Sequence, residues 1–150
     1  MSIKIRTSIY LASIVIAGLI LRIQGLFHTL EYDEIWTLQT FLDQSLRRIF
    51  SDFDLPNNHP LNTVAVCLAY FGKECAWTVR LGAFFASLGT IIAGYFLGRR
   101  LAGRQTGFLT ALALAILPAF TAQGYTARGY SGQLLLLLLT ALFLLKSRKI

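Results

Sequence analysis

Four stretches of this chain run nearly free of charge for about the length needed to cross a lipid bilayer, and no other feature constrains its fold as much. A spanning helix needs about 20 mostly apolar residues, with a range of roughly 17 to 25. The stretches cover residues 8–27, 81–98, 106–123 and 130–145. Arg22 interrupts the first near its far end, and the last holds six consecutive leucines. The first is too long for a signal-peptide core and no small-residue cleavage site follows it, so it reads as an anchor. A fifth apolar run, residues 61–71, is too short to cross and is expected to lie along the interface. Counting it as a span is the runner-up topology.

Composition agrees. Hydrophobic residues make up 55% of the 150 and charged residues only 14%, against roughly a quarter charged in an average soluble domain. That hydrophobicity excludes intrinsic disorder. Two cysteines exclude a disulfide scaffold; Cys67 and Cys75 would stand about 12 Å apart if they shared one helix, too far to bridge, whereas a turn near Gly72 would bring them closer. They read as small apolar residues.

The formal net charge is +7, from 14 basic and 7 acidic residues. A balance of this kind can mark a nucleic-acid binder, but the placement argues against such a partner. Every acid (Glu31, Asp33, Glu34, Asp43, Asp52, Asp54 and Glu74) falls within residues 31–74. The basic residues outside that window sit mostly in clusters at the ends of apolar runs: Lys4 and Arg6, then Arg99, Arg100 and Arg104, then Lys146, Arg148 and Lys149. Lys and Arg are retained on the cytoplasmic side, and four spans put all three clusters on one side. Both termini are then cytoplasmic, and the loop of about residues 28–80 lies outside, as does the turn around Arg128. The expected architecture is an all-α integral membrane module covering 1–150, with about four transmembrane helices and one or two interfacial helices in the first external loop.

Within that loop, Ile35, Leu38, Phe41, Leu42, Leu46, Ile49 and Phe50 recur at three- and four-residue spacing, which predicts one amphipathic helix over residues 35–50. Pro56, Asn57 and Asn58 make a turn, and a second helix opens near Pro60, where proline suits the first turn.

Four features of the outer face could carry chemistry. Asp33 and Glu34 are adjacent carboxylates beyond the first span. They suit a general base with its support, or a divalent-cation site; they equally suit a solvated helix start, where acids complement the dipole. His59, in PNNHPLNT, could donate to a phosphate or pack at the interface. Arg128, in GYTARGYSG, runs against the positive-inside tendency and calls for a phosphate or carboxylate partner, unless it is simply solvated. Arg80 raises the same question. Tyr125 and Tyr130 fit an aromatic belt, and Arg22 reads as a residue that snorkels.

Taken in order, these segments resemble membrane glycosyltransferases of the GT-C superfamily that use polyprenyl-phosphate sugars, the group holding protein O-mannosyltransferases and aminoarabinose transferases. LRIQGLFHTLEYDEIWT is similar to their first-helix end and Asp-Glu motif, and NNHPLNT to their His-Pro motif. The run from WTVRLG through GRRLAGRQ to ILPAF resembles their next two spans, and TARGYS their Glu-Ala-Arg-x-Tyr turn, with Thr126 in place of the acid. The resemblance implies an inverting transfer from a polyprenyl-phosphate-linked sugar to an acceptor hydroxyl at the extracytoplasmic face, in a bacterial inner (cytoplasmic) membrane. Asp33 would be the base and Glu34 its support, while Arg128, His59, Arg80 and Tyr130 would bind substrate and phosphate. A divalent cation at Asp33 and Glu34 is an open possibility.

Members of that family are several times longer, so this chain corresponds to their N-terminal third and is expected to work with further helices or a partner chain. The alternative is a non-catalytic small membrane subunit, or a truncated relic of the family, packed within a larger complex. A third reading makes Asp33 and Glu34 a regulatory cation site.

Overall fold

A computed structural model describes residues 3–52, 58–70 and 75–147. Among them the chain forms eight α-helices and no strand: α1 (Ile3–Ile23), α2 (Tyr32–Phe41), α3 (Leu46–Ser51), α4 (Pro60–Ala69), α5 (Ala76–Ala102), α6 (Arg104–Ile116), α7 (Pro118–Gln123) and α8 (Tyr130–Ser147). A 3-10 turn, Gln24–Phe27, extends α1.

Three helical segments are long and apolar enough to cross a membrane: residues 5–27, α5 and α8. Their outer faces are apolar. Ile9, Ile16, Ile20, Phe85, Ile92, Phe96, Leu137 and Phe143 are all exposed, as suits helices whose solvent is lipid. The end of α1 meets the start of α5, where Arg80 donates to the Gly25 carbonyl at 2.8 Å, so these two helices run antiparallel. At Gly107 α6 comes close to the α5 backbone: an added methyl there would stand 2.7 Å from the Tyr95 carbonyl oxygen. Ile91, Tyr95, Ala111, Leu114 and Ala115 form the core between these two helices, with α1 and α8 residues packed against it.

The third apolar run, residues 106–123, is interrupted. Leu117 takes an extended conformation (φ −65°, ψ 129°) and Pro118 opens α7. Proline pushes the preceding residue out of the helical region and lacks the N–H that would have bonded four residues back. The carbonyls of Leu114 and Ala115 lose their helical donors at this break. Arg22 replaces them: its Nη2 donates to Leu114 at 2.8 Å and its Nη1 to Ala115 at 2.9 Å. Its side chain is fully buried, which corrects the expectation that it snorkels. Snorkelling is the answer for a charge facing lipid; this one faces a helix end rich in unpaired carbonyls. An R22L variant leaves the Leu114 carbonyl without a donor and the Ala115 carbonyl with only the Thr121 hydroxyl at 3.3 Å, at about 1–3 kcal/mol for each group left unpaired. We expect it to lower stability by about 2–4 kcal/mol in detergent thermal unfolding. P118A in the R22L background should recover part of the loss, because it restores the missing N–H. A change below about 0.5 kcal/mol in R22L would contradict this account of the break.

The single amphipathic helix expected over residues 35–50 is two helices. Residues 42–45 separate them, and Ser45 starts α3 from an extended conformation with its hydroxyl accepting from Arg48 N. Ile35, Leu46 and Phe50 are consequently exposed, whereas Leu38, Phe41 and Ile49 are buried. Two short helices can each turn one face inward; one straight helix could not follow the surface. The short apolar run forms α4, and the turn expected at Pro56 and Asn57 lies outside the described residues. Asn58 ties α3 to α4, donating from Nδ2 to the Ile49 and Asp52 carbonyls and accepting from the Thr63 hydroxyl at 3.2 Å. Cys67 lies in α4 and Cys75 precedes α5, so of the two arrangements open to them they do not share a helix; both are free.

Candidate functional site

The acidic end of the bundle is built on one buried ion pair. Glu34 is the third residue of α2 and fully buried; Arg80, in the second turn of α5, is 1% exposed. Arg80 Nε donates to Glu34 Oε1 at 2.8 Å, and Nη2 to Oε2 at 2.6 Å. The remaining Arg80 donors close the end of the first span, with Nη1 reaching the Gly25 and His28 carbonyls and Nη2 the Thr29 carbonyl. All five guanidinium N–H groups are therefore in use.

Glu34 is saturated as well. Besides Arg80, its carboxylate accepts the backbone N–H of Ala127 at 2.6 Å and of Glu31 at 2.8 Å, the latter being one half of a capping box. Burial alone would push this carboxyl up, but the Arg80 hydrogen bonds, the two backbone N–H donors and the Arg80 charge together hold it below its ordinary value. Neither residue has anything left for a substrate or an ion.

The Ala127 peptide is the link between this node and the surface. Its N–H is held by Glu34, and its carbonyl accepts from Asn62 Nδ2 of α4 at 2.7 Å. Gripped from both sides, it sets the next residue, Arg128, over the start of α2. Arg128 Nη2 lies 2.5 Å from Asp33 Oδ2 and 3.3 Å from Glu31 Oε2. The side chains of Arg128 and Asp33 are 34% and 23% exposed, that of Glu31 49%. Arg128 Nε is buried without a hydrogen-bond partner among the described residues. This guanidinium thus has one edge on carboxylates and an unused donor beside it.

His59 caps the start of α4 on the neighbouring side. Gly129 makes its position possible, since an added Cβ there would stand 2.6 Å from the His59 side chain. The ring packs edge-to-face on Tyr130 at 5.3 Å, and Nδ1 lies 3.3 Å from Gln133 Nε2. Beneath it a cleft of about 310 Å³ runs between α4, α5 and α8, polar at Asn58, His59 and Gln133 and lined with small residues such as Ala65, Gly82 and Ala86.

The structure therefore brings the six expected site residues to one end of the bundle but divides them. Asp33, Arg128, His59 and Tyr130 are partly exposed, whereas Glu34 and Arg80 are interior. The expected pairing of Asp33 with Glu34 does not occur: adjacent residues on a helix point about 100° apart, so one carboxylate faces outward and the other inward. Among the described residues no group of three or more His, Cys, Asp or Glu is placed to hold a metal. Thr126 is buried, with its hydroxyl on the Ala122 carbonyl. Sequence reasoning missed Glu31 and Asn62. The Glu31-x-x-Glu34 spacing was a usable capping signal; the Asn62 contact had none, because it closes across 65 residues. Set against family models, curated proteins and solved structures, the chain matches none of them.

Proposed function

We propose that the acidic end of the bundle is the extracytoplasmic catalytic face of a GT-C-like membrane glycosyltransferase module, which moves a sugar from a polyprenyl phosphate to an acceptor hydroxyl. In this reading the α6–α7 pair makes one broken crossing, so that four crossings leave both termini on the cytoplasmic side. The observation that carries the proposal is the Asp33–Arg128 pair, a partly exposed carboxylate and a guanidinium with an unused, buried Nε, set beside a cleft lined by small residues. Asp33 takes the proton of the acceptor hydroxyl. The freed oxygen attacks the anomeric carbon with inversion, and the bonding pair of the sugar–phosphate bond leaves on the phosphate. Arg128 stabilises the charge that builds there. His59 and Tyr130 line the approach, and Glu34 and Arg80 hold the Ala127–Arg128 turn in place.

Binding of the donor tests this directly. The chain in detergent is offered polyprenyl-phosphate monosaccharides, and their retention is measured for wild type and R128Q. Loss of one charge-assisted contact should weaken donor binding about tenfold or more. Unchanged affinity would remove Arg128 from the phosphate site and end the proposal in this form.

One observation favours the second reading, a non-catalytic subunit: only 6% of the apolar window of α8 is buried, which leaves a long leucine face for other membrane helices. That reading predicts stable co-purification with a larger complex, and donor binding indifferent to R128Q.

A further inference from the structure

We propose that the opposite end of the bundle carries a second site, which binds the phosphate of an anionic phospholipid. A cavity of about 360 Å³ lies between the starts of α1 and α6, lined by Arg6, Thr7, Tyr10, Arg104, Gln105 and Phe108, among others. Two guanidiniums and an amide surround its polar part, all of them able to donate to a phosphate; the Thr7 hydroxyl already donates to the Ile3 carbonyl at 3.0 Å. Tyr10 and Phe108 form its inner wall, edge-to-face at 6.1 Å.

The charge at this end is uncompensated. Neither Arg6 nor Arg104 makes an ion pair or a side-chain hydrogen bond with any described residue. All seven acids of the chain belong to residues 31–74, between the first span and α5. Among the described residues neither arginine has a carboxylate partner, so a bound anion can supply the counter-charge. The first turn of α6 adds to the demand, because its N-cap is Gly103 and no side chain caps it, which leaves a partial positive charge facing the same side.

Both a free phosphate and a lipid headgroup offer the anion. The surroundings favour the lipid. Ile3 and Tyr10, which line the cavity, are exposed, giving acyl chains an apolar wall that continues from the headgroup contacts. Basic pockets between membrane helices commonly hold anionic headgroups in this way. The site is independent of the glycosyltransferase reading, lies at the other end of the bundle, and is tested without any transfer assay.

The test is native mass spectrometry of the full chain in neutral detergent at about 0.15 M salt, where separated charges are screened. It is titrated with phosphatidylglycerol, phosphatidylcholine or inorganic phosphate. Phosphatidylglycerol should be retained and the other two not. R6Q/R104Q should weaken its binding about 30-fold, and R104Q alone about fivefold. R99Q/R100Q removes the same charge just outside the cavity and should change binding by less than about threefold. Equal binding of phosphatidylcholine would overturn the proposal. So would equal loss in the two double variants, and competition by inorganic phosphate at matched concentration would overturn the choice of a lipid.

Discussion

Truncating either member of the Glu34–Arg80 pair, in E34A or R80A, is expected to destabilise the fold by about 3–5 kcal/mol, because it leaves an uncompensated charge in the interior. The two losses should not be equal. E34A frees two Arg80 donors and two backbone N–H groups, whereas R80A also strips the donor from the carbonyls of Gly25, His28 and Thr29, so R80A should be the worse variant. The double variant should then be only about 1–2 kcal/mol worse than R80A alone, since each side chain is the other's main partner. That shortfall from additivity, about 2–3 kcal/mol, is the coupling within the pair. Thermal unfolding in detergent, followed by far-ultraviolet circular dichroism, measures all three. Additive losses would mean that the two groups are not a unit.

The same pair sets a pH dependence. The Glu34 carboxyl is held below its ordinary value of 4.5 in the folded chain, so the folded state favours the ionised form. Its contribution is fully present above that ordinary value and is lost as pH falls through the lower, folded value. Stability due to this group should therefore be flat from neutral pH down to about 5 and decline below about 4, and E34Q should abolish that part of the decline. A further consequence reaches the surface. Because Glu34 also holds the Ala127 N–H, R80A should loosen Arg128 and weaken donor binding even in the fraction that stays folded.

D33N should lower the rate of sugar transfer by about 10²–10⁴-fold, the usual worth of a positioned general base. The amide keeps the size of the carboxylate and one oxygen to accept from Arg128, so the turn and the donor affinity should change only by a few-fold. The expected signature is a fall in kcat with little change in KM for the polyprenyl-phosphate donor. Asp33 is the right target because its carboxylate is partly exposed and paired with Arg128, whereas Glu34 is inside the protein. E31Q is the matching control. Its carboxylate is half-exposed and lies farther from Arg128, so its loss should cost little. Transfer that survives D33N would disqualify Asp33 as the base, whatever happens to donor binding.

Much of this arrangement was legible along the chain, because it depends on quantities that are local. Apolar runs of helical length announced α1, α5 and α8, and the confinement of acids to one segment marked where polar chemistry could gather. Asp33 was picked out with Glu34 as a candidate base or cation ligand, and Arg128 separately as a charge in need of a partner. What misled was also local. The apolar spacing over residues 35–50 is continuous to the eye, but spacing does not record that Ser45 accepts a hydrogen bond and restarts the helix. Asp33 and Glu34 look like a pair in print, although a helical step of about 100° sends them to different surroundings.

Sequence by itself therefore determined that this chain is helical, that its helices suit a lipid environment, and that its acids fall in one segment. Tertiary structure alone decided the partners. Arg22 could have reached the interface, but the Pro118 break placed unpaired carbonyls where its guanidinium could reach them. Arg80 could have waited for a phosphate, but Glu34 and four carbonyls claimed every donor it has. Arg128, held one residue beyond the Ala127 peptide, kept an N–H to spare. The reason is physical. A buried charge must satisfy all its hydrogen bonds or be costly, and which groups stand near enough to do so is fixed across separations of 46 residues for Arg80 and Glu34, and 93 for Glu34 and Ala127, by the packing of helices rather than by the order of residues within any one of them.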